Sequence, residues 1–185
     1  YHQEQSLMIC CSSLHIPCVA FRYQNVYGPG QSLSNPYTGI LSIFSTRIKQ
    51  QKSINIFEDG KESRDFVFID DVVNATIAGI EKDAADFNVF NVGTGVATSV
   101  LAVANTLMKN YGIEVPLEIS GQYRKGDIRH NFADIIRLQK SLNLTPSISF
   151  ETGIRNFCEW VNEQEIGADK YEQSLAEMRT KGLLK

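Results

Sequence analysis

The sequence lacks any run of about eighteen apolar residues, the length a membrane-spanning helix needs, and it has no charged-then-apolar opening of the secretory kind. It contains no CxxC pair, no HExxH and no serine or cysteine in a nucleophile elbow. His2, His15 and His130 are scattered, so hydrolase and metalloenzyme readings find no support. Cys10, Cys11, Cys18 and Cys158 have no partnered histidines and read as reduced thiols in a core, with the cytoplasm as the default location. Positive charge is not in excess either. Eighteen Lys and Arg stand against 21 Asp and Glu, a net charge of −3, which excludes a general basic field for nucleic acid. Any anion must therefore be held by a few placed cations. The opening Tyr1 has no methionine before it and leads straight into helical periodicity, which reads as a chain beginning partway through a larger protein.

Hydrophobic residues make up 43% and charged residues 21%, enough apolar content for a folded core in 185 residues. Residues 2–14 place Leu7, Met8, Cys10, Cys11 and Leu14 at helical spacing, and Pro17 stops them. Cys18-Val19-Ala20-Phe21 reads as a buried strand that leads into Arg22–Tyr27 and is broken at Gly28-Pro29-Gly30. The segment QSLSNPY (31–37) has turn chemistry, after which Thr38 is placed to cap a helix through Lys52. Ile54–Phe57 and Asp65–Ile69 read as strands about a Glu58–Lys61 turn, and Asp70 or Asp71 is suited to cap the next helix. Phe87–Val92 is a further strand ending in Gly93-Thr94-Gly95, and Thr98 or Ser99 opens a helix through Lys109. Residues 115–120 are a weaker strand, and helices are expected near 134–142 and 151–164, followed by a charged, amphipathic, helical tail over 165–185. This alternation predicts an α/β fold, with no internal boundary marked by a linker.

Three cations, Arg64, Arg124 and Arg129, fall in loops or at strand edges and not on solvated helix faces. Arg64 is placed either to grip phosphate oxygens in a bidentate manner or to form a surface ion pair with Asp59 or Glu62. Arg124 and Asp127 either pair with each other or divide between a phosphate and a sugar hydroxyl. Asn25 follows a buried strand, where open α/β sheets form ligand crevices, yet an asparagine that only stabilises the turn explains it equally well. Gly93-Thr94-Gly95 is half of a phosphate-binding glycine loop and is read as a strand-to-helix turn.

The ordered series FRYQNVYGPGQ (21–31), INIFEDGKESRDFVFIDDVVNA (54–75), FNVFNVGTG (87–95) and GDIRHNFAD (126–134) resembles the extended short-chain dehydrogenase/reductase family. Within that family it is similar to the NAD-dependent nucleotide-sugar epimerases and dehydratases, and most similar to dTDP-sugar 4-epimerases of the dTDP-L-rhamnose type. The resemblance spans residues 1–164. It implies the carboxy-terminal, substrate-binding lobe with the last strands of a Rossmann sheet, and absence of the amino-terminal NAD-binding half. The family's catalytic Tyr-x-x-x-Lys pair would lie just before Tyr1, because Tyr1–Gln5 has glutamine where the lysine belongs and Glu4 matches the acidic residue that follows that lysine by four.

By the same resemblance, Asn25 hydrogen-bonds the substrate diphosphate, Arg64 and Arg124 clamp phosphate oxygens and Asp127 binds a ribose hydroxyl. Thr38, Gly39 and Ile40 match the helix start near the substrate, Asn55 and Phe57 flank the base, and Gln24 and Val26 approach the nicotinamide. The implied activity is C4 oxidation of a dTDP- or UDP-sugar to a 4-keto intermediate and re-reduction on the opposite face, with a 4,6-dehydratase as its nearest rival. NAD is expected in the intact enzyme and not on this chain alone, which without the tyrosine and lysine should not turn over. A non-catalytic nucleotide-sugar or protein-binding module is the reading of another class. A homodimer through the helix that includes residues 2–14 is also implied.

Overall fold

The structure is a computed structural model that describes residues 2–35, 39–167 and 169–185. In chain order its elements are α1 (His2–Ser13), β1 (Val19–Tyr23), β2 (Asn25–Tyr27), α2 (Ile40–Lys49), β3 (Ile54–Ile56), β4 (Ser63–Arg64), β5 (Phe66–Phe68) and α3 (Ile69–Glu81). A 3₁₀ turn (Asp83–Ala85) leads to β6 (Asn88–Val92), β7 (Thr98–Ser99), α4 (Val100–Tyr111), β8 (Leu117–Ile119), β9 (His130–Asn131), α5 (Ile136–Leu142), α6 (Phe150–Asn162) and α7 (Tyr171–Thr180). Strands and helices alternate as the apolar runs predict.

The chain divides into two units, a division no linker marks in the sequence. One comprises residues 1–26, 65–96 and 132–148, the other residues 27–64, 97–131 and 149–185, so the chain passes between them five times. A boundary made of five short crossings leaves no polar, glycine-rich stretch to find.

In the first unit β1 and β6 pair in parallel, Val19 opposite Asn88 through Tyr23 opposite Val92. Val67, Val72, Ala75, Ala85, Phe90, Val92, Leu138 and Leu142 form the buried core, with Val19, Phe21 and Leu144 against it. Gly79 on α3 is required by this packing, since a Cβ there would lie 2.3 Å from Phe21 Cζ. Helix α3 is not capped as the sequence suggests. Its N-cap is Phe68 without a side-chain bond, and Asp71 is drawn away to accept from the backbone N–H of Ser147 (2.9 Å) and of Ile148 (3.1 Å). Helix α1 buries none of its residues and leaves Leu7 and Ile9 exposed, as is Leu14 just beyond it. Cys10 is likewise exposed, Cys11 and Cys18 are half-buried, and only Cys158 is a core thiol, so the expectation of four core cysteines is corrected.

In the second unit α4 packs on both α2 and α6. β3 pairs in parallel with β8, and β4 lies between β7 (antiparallel) and β9 (parallel). Ser99 caps α4 by accepting from the Ala102 N–H at 3.1 Å. Helix α2 starts at Ile40 from Gly39, whose φ of 84° is left-handed and which makes no side-chain cap. The expected cap, Thr38, lies outside the described residues. The tail supplies Tyr171, Leu175 and Leu184 to a second apolar cluster that includes Ile43, Phe57 and Met178. Among the described residues no helix is long and apolar enough to cross a membrane.

Candidate functional site

The parallel pairing of β4 with β9, Arg64 opposite Asn131, brings two stretches of sequence together. Just before β9 the chain turns at Arg124–Asp127, the Asp127 N–H donating to the Arg124 carbonyl at 3.2 Å with Gly126 at a φ of 82°. That left-handed angle is one a glycine adopts without steric cost. The turn aims Asp127 at Arg64, whose Nη2 donates to Oδ1 at 2.8 Å. Arg124 Nη2 donates to the other oxygen, Oδ2, at 2.5 Å. Two guanidinium groups therefore converge on one carboxylate. Neither local alternative holds for Arg64, since Asp59 pairs with Arg129 and Glu62 makes no ion pair among the described residues.

Each cation is held from behind. Arg64 Nη1 donates to the carbonyls of Ser63 (2.8 Å) and Arg129 (3.1 Å), and its side chain is only 18% exposed. The Arg124 guanidinium lies 5.9 Å from the centre of the Phe57 ring, an arrangement in which the ring face attracts the cation. Its backbone is fixed by residues 183–185. Arg124 bridges Leu184 in antiparallel fashion, flanked by reciprocal bonds between Tyr123 and Lys185 (2.7 and 3.0 Å) and a Lys125–Leu183 bond (2.8 Å). A charged, low-periodicity tail carries no sign of this role in the sequence.

Asn55 sits in β3, one residue before Ile56 and two before Phe57, and its side-chain oxygen is buried with no hydrogen-bond partner. A buried acceptor of this kind is satisfied by a ligand donor or by water. Gly39 and Ile40 form the start of α2, where free N–H groups and the helix dipole favour an anion. The Gln31 carboxamide nitrogen stands where a Gly39 Cβ would be, 2.3 Å from it, so Gln31 covers that helix start. Nothing in the sequence singles Gln31 out.

Gln24, Asn25 and Val26 belong to the first unit, beyond the C-terminal end of β1 and in β2. The Gln24 N–H donates to Val92 O and the Asn25 N–H to Asp65 O, both at 2.9 Å, so their backbones are fixed while the side chains of Asn25 and Val26 stay exposed. Beside them is a residue the motif reading passed over. Asp65 is fully buried, and its carboxylate accepts from the N–H groups of Thr94 (2.8 Å), Gly95 (2.9 Å) and Ala133 (3.1 Å) and from the Thr94 hydroxyl (2.6 Å). The chain's own carboxylate thus fills the Gly93-Thr94-Gly95 turn, which is why this half of a glycine loop is structural and not a phosphate cradle.

The family model for the NAD dependent epimerase/dehydratase family matches residues 2–93. A dTDP-L-rhamnose 4-epimerase from Burkholderia thailandensis is 38% identical over 162 residues, 88% of this chain and 44% of the relative. The chain belongs to this epimerase/dehydratase family. A crystal structure of UDP-glucose 4-epimerase with UDP-glucose from Thermotoga maritima matches with a TM-score of 0.82 at 32% identity, covering 88% of this chain and 52% of that one. A UDP-N-acetylglucosamine 4-epimerase from Methanobrevibacter ruminantium, in complex with UDP-N-acetylmuramic acid, matches with a TM-score of 0.81 at 29% identity over 88% of this chain and 51% of its own. The α/β arrangement is that of the extended epimerase fold. The chain spans about half the length of the curated epimerase/dehydratase relatives it matches.

Proposed function

We propose that this chain is the nucleotide-sugar-binding part of an NAD-dependent nucleotide-sugar 4-epimerase. The observation that carries the reading is the convergence of Arg64 and Arg124 on one carboxylate, beside Phe57 and with the unpartnered Asn55 oxygen in the preceding strand. Two planar guanidinium groups meeting at a point suit a diphosphate, whose oxygens accept the same forked bonds. On this proposal the diphosphate takes the place Asp127 now fills, and the released carboxylate accepts a ribose hydroxyl. Phe57 and Asn55 flank the base, and Gly39 and Ile40 present the helix start. The curated relatives include several sugar-nucleotide 4-epimerases, which favours epimerase over dehydratase.

Bound NAD supplies the oxidation and re-reduction at the sugar C4. On this proposal Val26, whose apolar side chain is exposed, and Gln24, whose Cγ lies beside Gly93, border its nicotinamide end. The N–H groups of Thr94 and Gly95 are taken by Asp65, so they offer nothing to a dinucleotide phosphate. This chain therefore positions substrate and borders the nicotinamide, without holding the dinucleotide by itself. A homodimer through α1 belongs to the same proposal, supported by the exposed Leu7, Ile9 and Leu14.

Calorimetry of the 185-residue chain with dTDP and UDP tests the binding role. The expected result is weak, saturable binding that falls at least tenfold in Arg64→Ala and in Arg124→Ala, since a bond to a charged group is worth about 1.5–3 kcal/mol. Equal binding in the wild type and both variants would refute the proposed clamp.

A further inference from the structure

Away from the paired guanidinium groups, the reversal between β3 and β4 gathers three carboxylates. Oxygens of Glu58, Asp59 and Glu62 all lie within 4.8 Å of one another. Glu62 is the member that ordinary surface chemistry does not explain. It is 8% exposed, and neither of its carboxylate oxygens has a hydrogen-bond partner. Buried polar groups are nearly always paired, and a buried carboxylate with no donor is among the costliest exceptions. Burial, with the charges of Glu58 and Asp59 adding to it, pushes the Glu62 pKa up against the pull of its own backbone N–H and of Arg129, and no other residue donates to it.

The backbone holds these groups in place. The Gly60 N–H donates to Phe57 O (3.1 Å) and the Lys61 N–H to Asp59 Oδ1 (3.1 Å), while the start of α4 clamps the turn through Val100 N–H to Glu62 O (2.9 Å) and Leu101 N–H to Gly60 O (3.1 Å). Two cations act on the cluster, and Lys61 does so only through its charge on Asp59. Arg129 pairs with Glu58 and with both oxygens of Asp59 but makes no bond to Glu62. Three carboxylates outnumber the two nearby cations, Arg129 and Lys61, and neither cation bonds the buried member.

We propose that this turn binds a divalent cation, with Glu62 as the buried ligand and Glu58 and Asp59 completing the protein's share. An all-oxygen set without sulfur or imidazole selects a hard cation. Calcium, which accepts about six to eight oxygens at about 2.3–2.6 Å in a flexible geometry, suits such a turn better than magnesium, which demands near-ideal octahedral geometry. Water fills the remaining positions, and Arg129 gives way at Asp59. None of Arg64, Arg124 and Asp127 is a ligand, so this site is separate from the proposed diphosphate clamp.

The test is thermal unfolding and calorimetry of the 185-residue chain in EDTA, with calcium chloride and with magnesium chloride. The wild type should bind one calcium per chain and melt higher in calcium than in EDTA, with a smaller shift in magnesium. Glu62→Gln removes the unpaired buried charge, so in EDTA it should melt no lower than the wild type, and calcium should then raise its melting temperature little and bind at least tenfold more weakly. Glu58→Gln, at a half-exposed position, should fold as the wild type does in EDTA and also lose calcium affinity. The proposal is overturned by an absence of saturable calcium binding at millimolar concentration, or by equal binding in the wild type and both variants. A Glu62→Gln that melts lower than the wild type in EDTA would also overturn it, since that outcome assigns Glu62 a structural partner.

Discussion

Asp65 is the residue whose removal should do most damage to the first unit. Its buried carboxylate accepts three backbone N–H groups and one hydroxyl, at 2.6 to 3.1 Å. Each bond to a charged acceptor is worth about 1.5–3 kcal/mol, and an alanine strands one buried and two half-buried donors at once. Simple addition overstates the loss, because the bonds share one acceptor and water can enter the space left behind. A loss of about 4–6 kcal/mol is expected for Asp65→Ala, much of the total of about 5–15 kcal/mol typical of a folded domain. Asp65→Asn keeps one acceptor oxygen but turns an NH2 group towards two of the donors, and about 2–4 kcal/mol is expected. Thr94→Val removes a hydroxyl that donates to Asp65 and accepts from the Val96 N–H, and should cost about 1.5–3 kcal/mol. Urea unfolding followed by far-ultraviolet circular dichroism gives the three values. The single tryptophan, Trp160, lies in the other unit and shows whether the two units unfold together. An Asp65→Ala variant that loses less than about 1 kcal/mol, the worth of an ordinary neutral hydrogen bond, would refute this account of the turn.

Two further outcomes follow from buried ionisable groups. Burial raises the Asp169 carboxyl, but the Tyr171 N–H and the Lys52 and Arg47 cations outweigh it and hold the pKa below the usual carboxylate value. Asp169 therefore stabilises the fold above the unfolded pKa of about 3.9, and that contribution is lost as pH falls from there through the folded value. Arg47→Ala, which leaves this 5% exposed carboxylate with only Lys52, should cost about 3 kcal/mol at neutral pH and flatten the loss of stability between neutral and acid pH. Urea midpoints at neutral pH and near pH 3 measure both effects, and an unchanged pH dependence would count against the pairing. Burial also pushes the Cys158 thiol up to about 11, so it should resist a thiol reagent at neutral pH until the chain unfolds, while the exposed Cys10 reacts at once. Labelling of Cys158 in the native chain at the rate of Cys10 would contradict the buried assignment.

The α/β character was legible because its signals are local. Ile54–Phe57 and Phe87–Val92 are apolar runs of strand length, and the structure places β3 and β6 within them. The spacing of Ile40, Leu41, Phe44 and Ile48 marks α2, although its boundary shifted because the left-handed Gly39 starts the helix. What escaped is what depends on distant partners. Asp71 looked like a helix cap until Ser147 and Ile148, more than seventy residues away, competed for its oxygens. For Arg64 the sequence offered the neighbours Asp59 and Glu62, whereas the β4–β9 register delivers Asp127 from 63 positions along the chain. Asp65 gave no signal beyond being an acidic residue at the head of an apolar run, since its three backbone donors come from two separate loops.

The pairing of Leu183–Lys185 with Tyr123–Lys125 ties the residues after α7 to the loop that carries Arg124. Arg124 is held through a bridge that exists only while those residues stay in place, so on the proposal above a change confined to residues 183–185 would slacken one jaw of the clamp and leave Arg64 untouched. Loss of affinity after such a change would then look like a defect of the pocket although no pocket residue had changed.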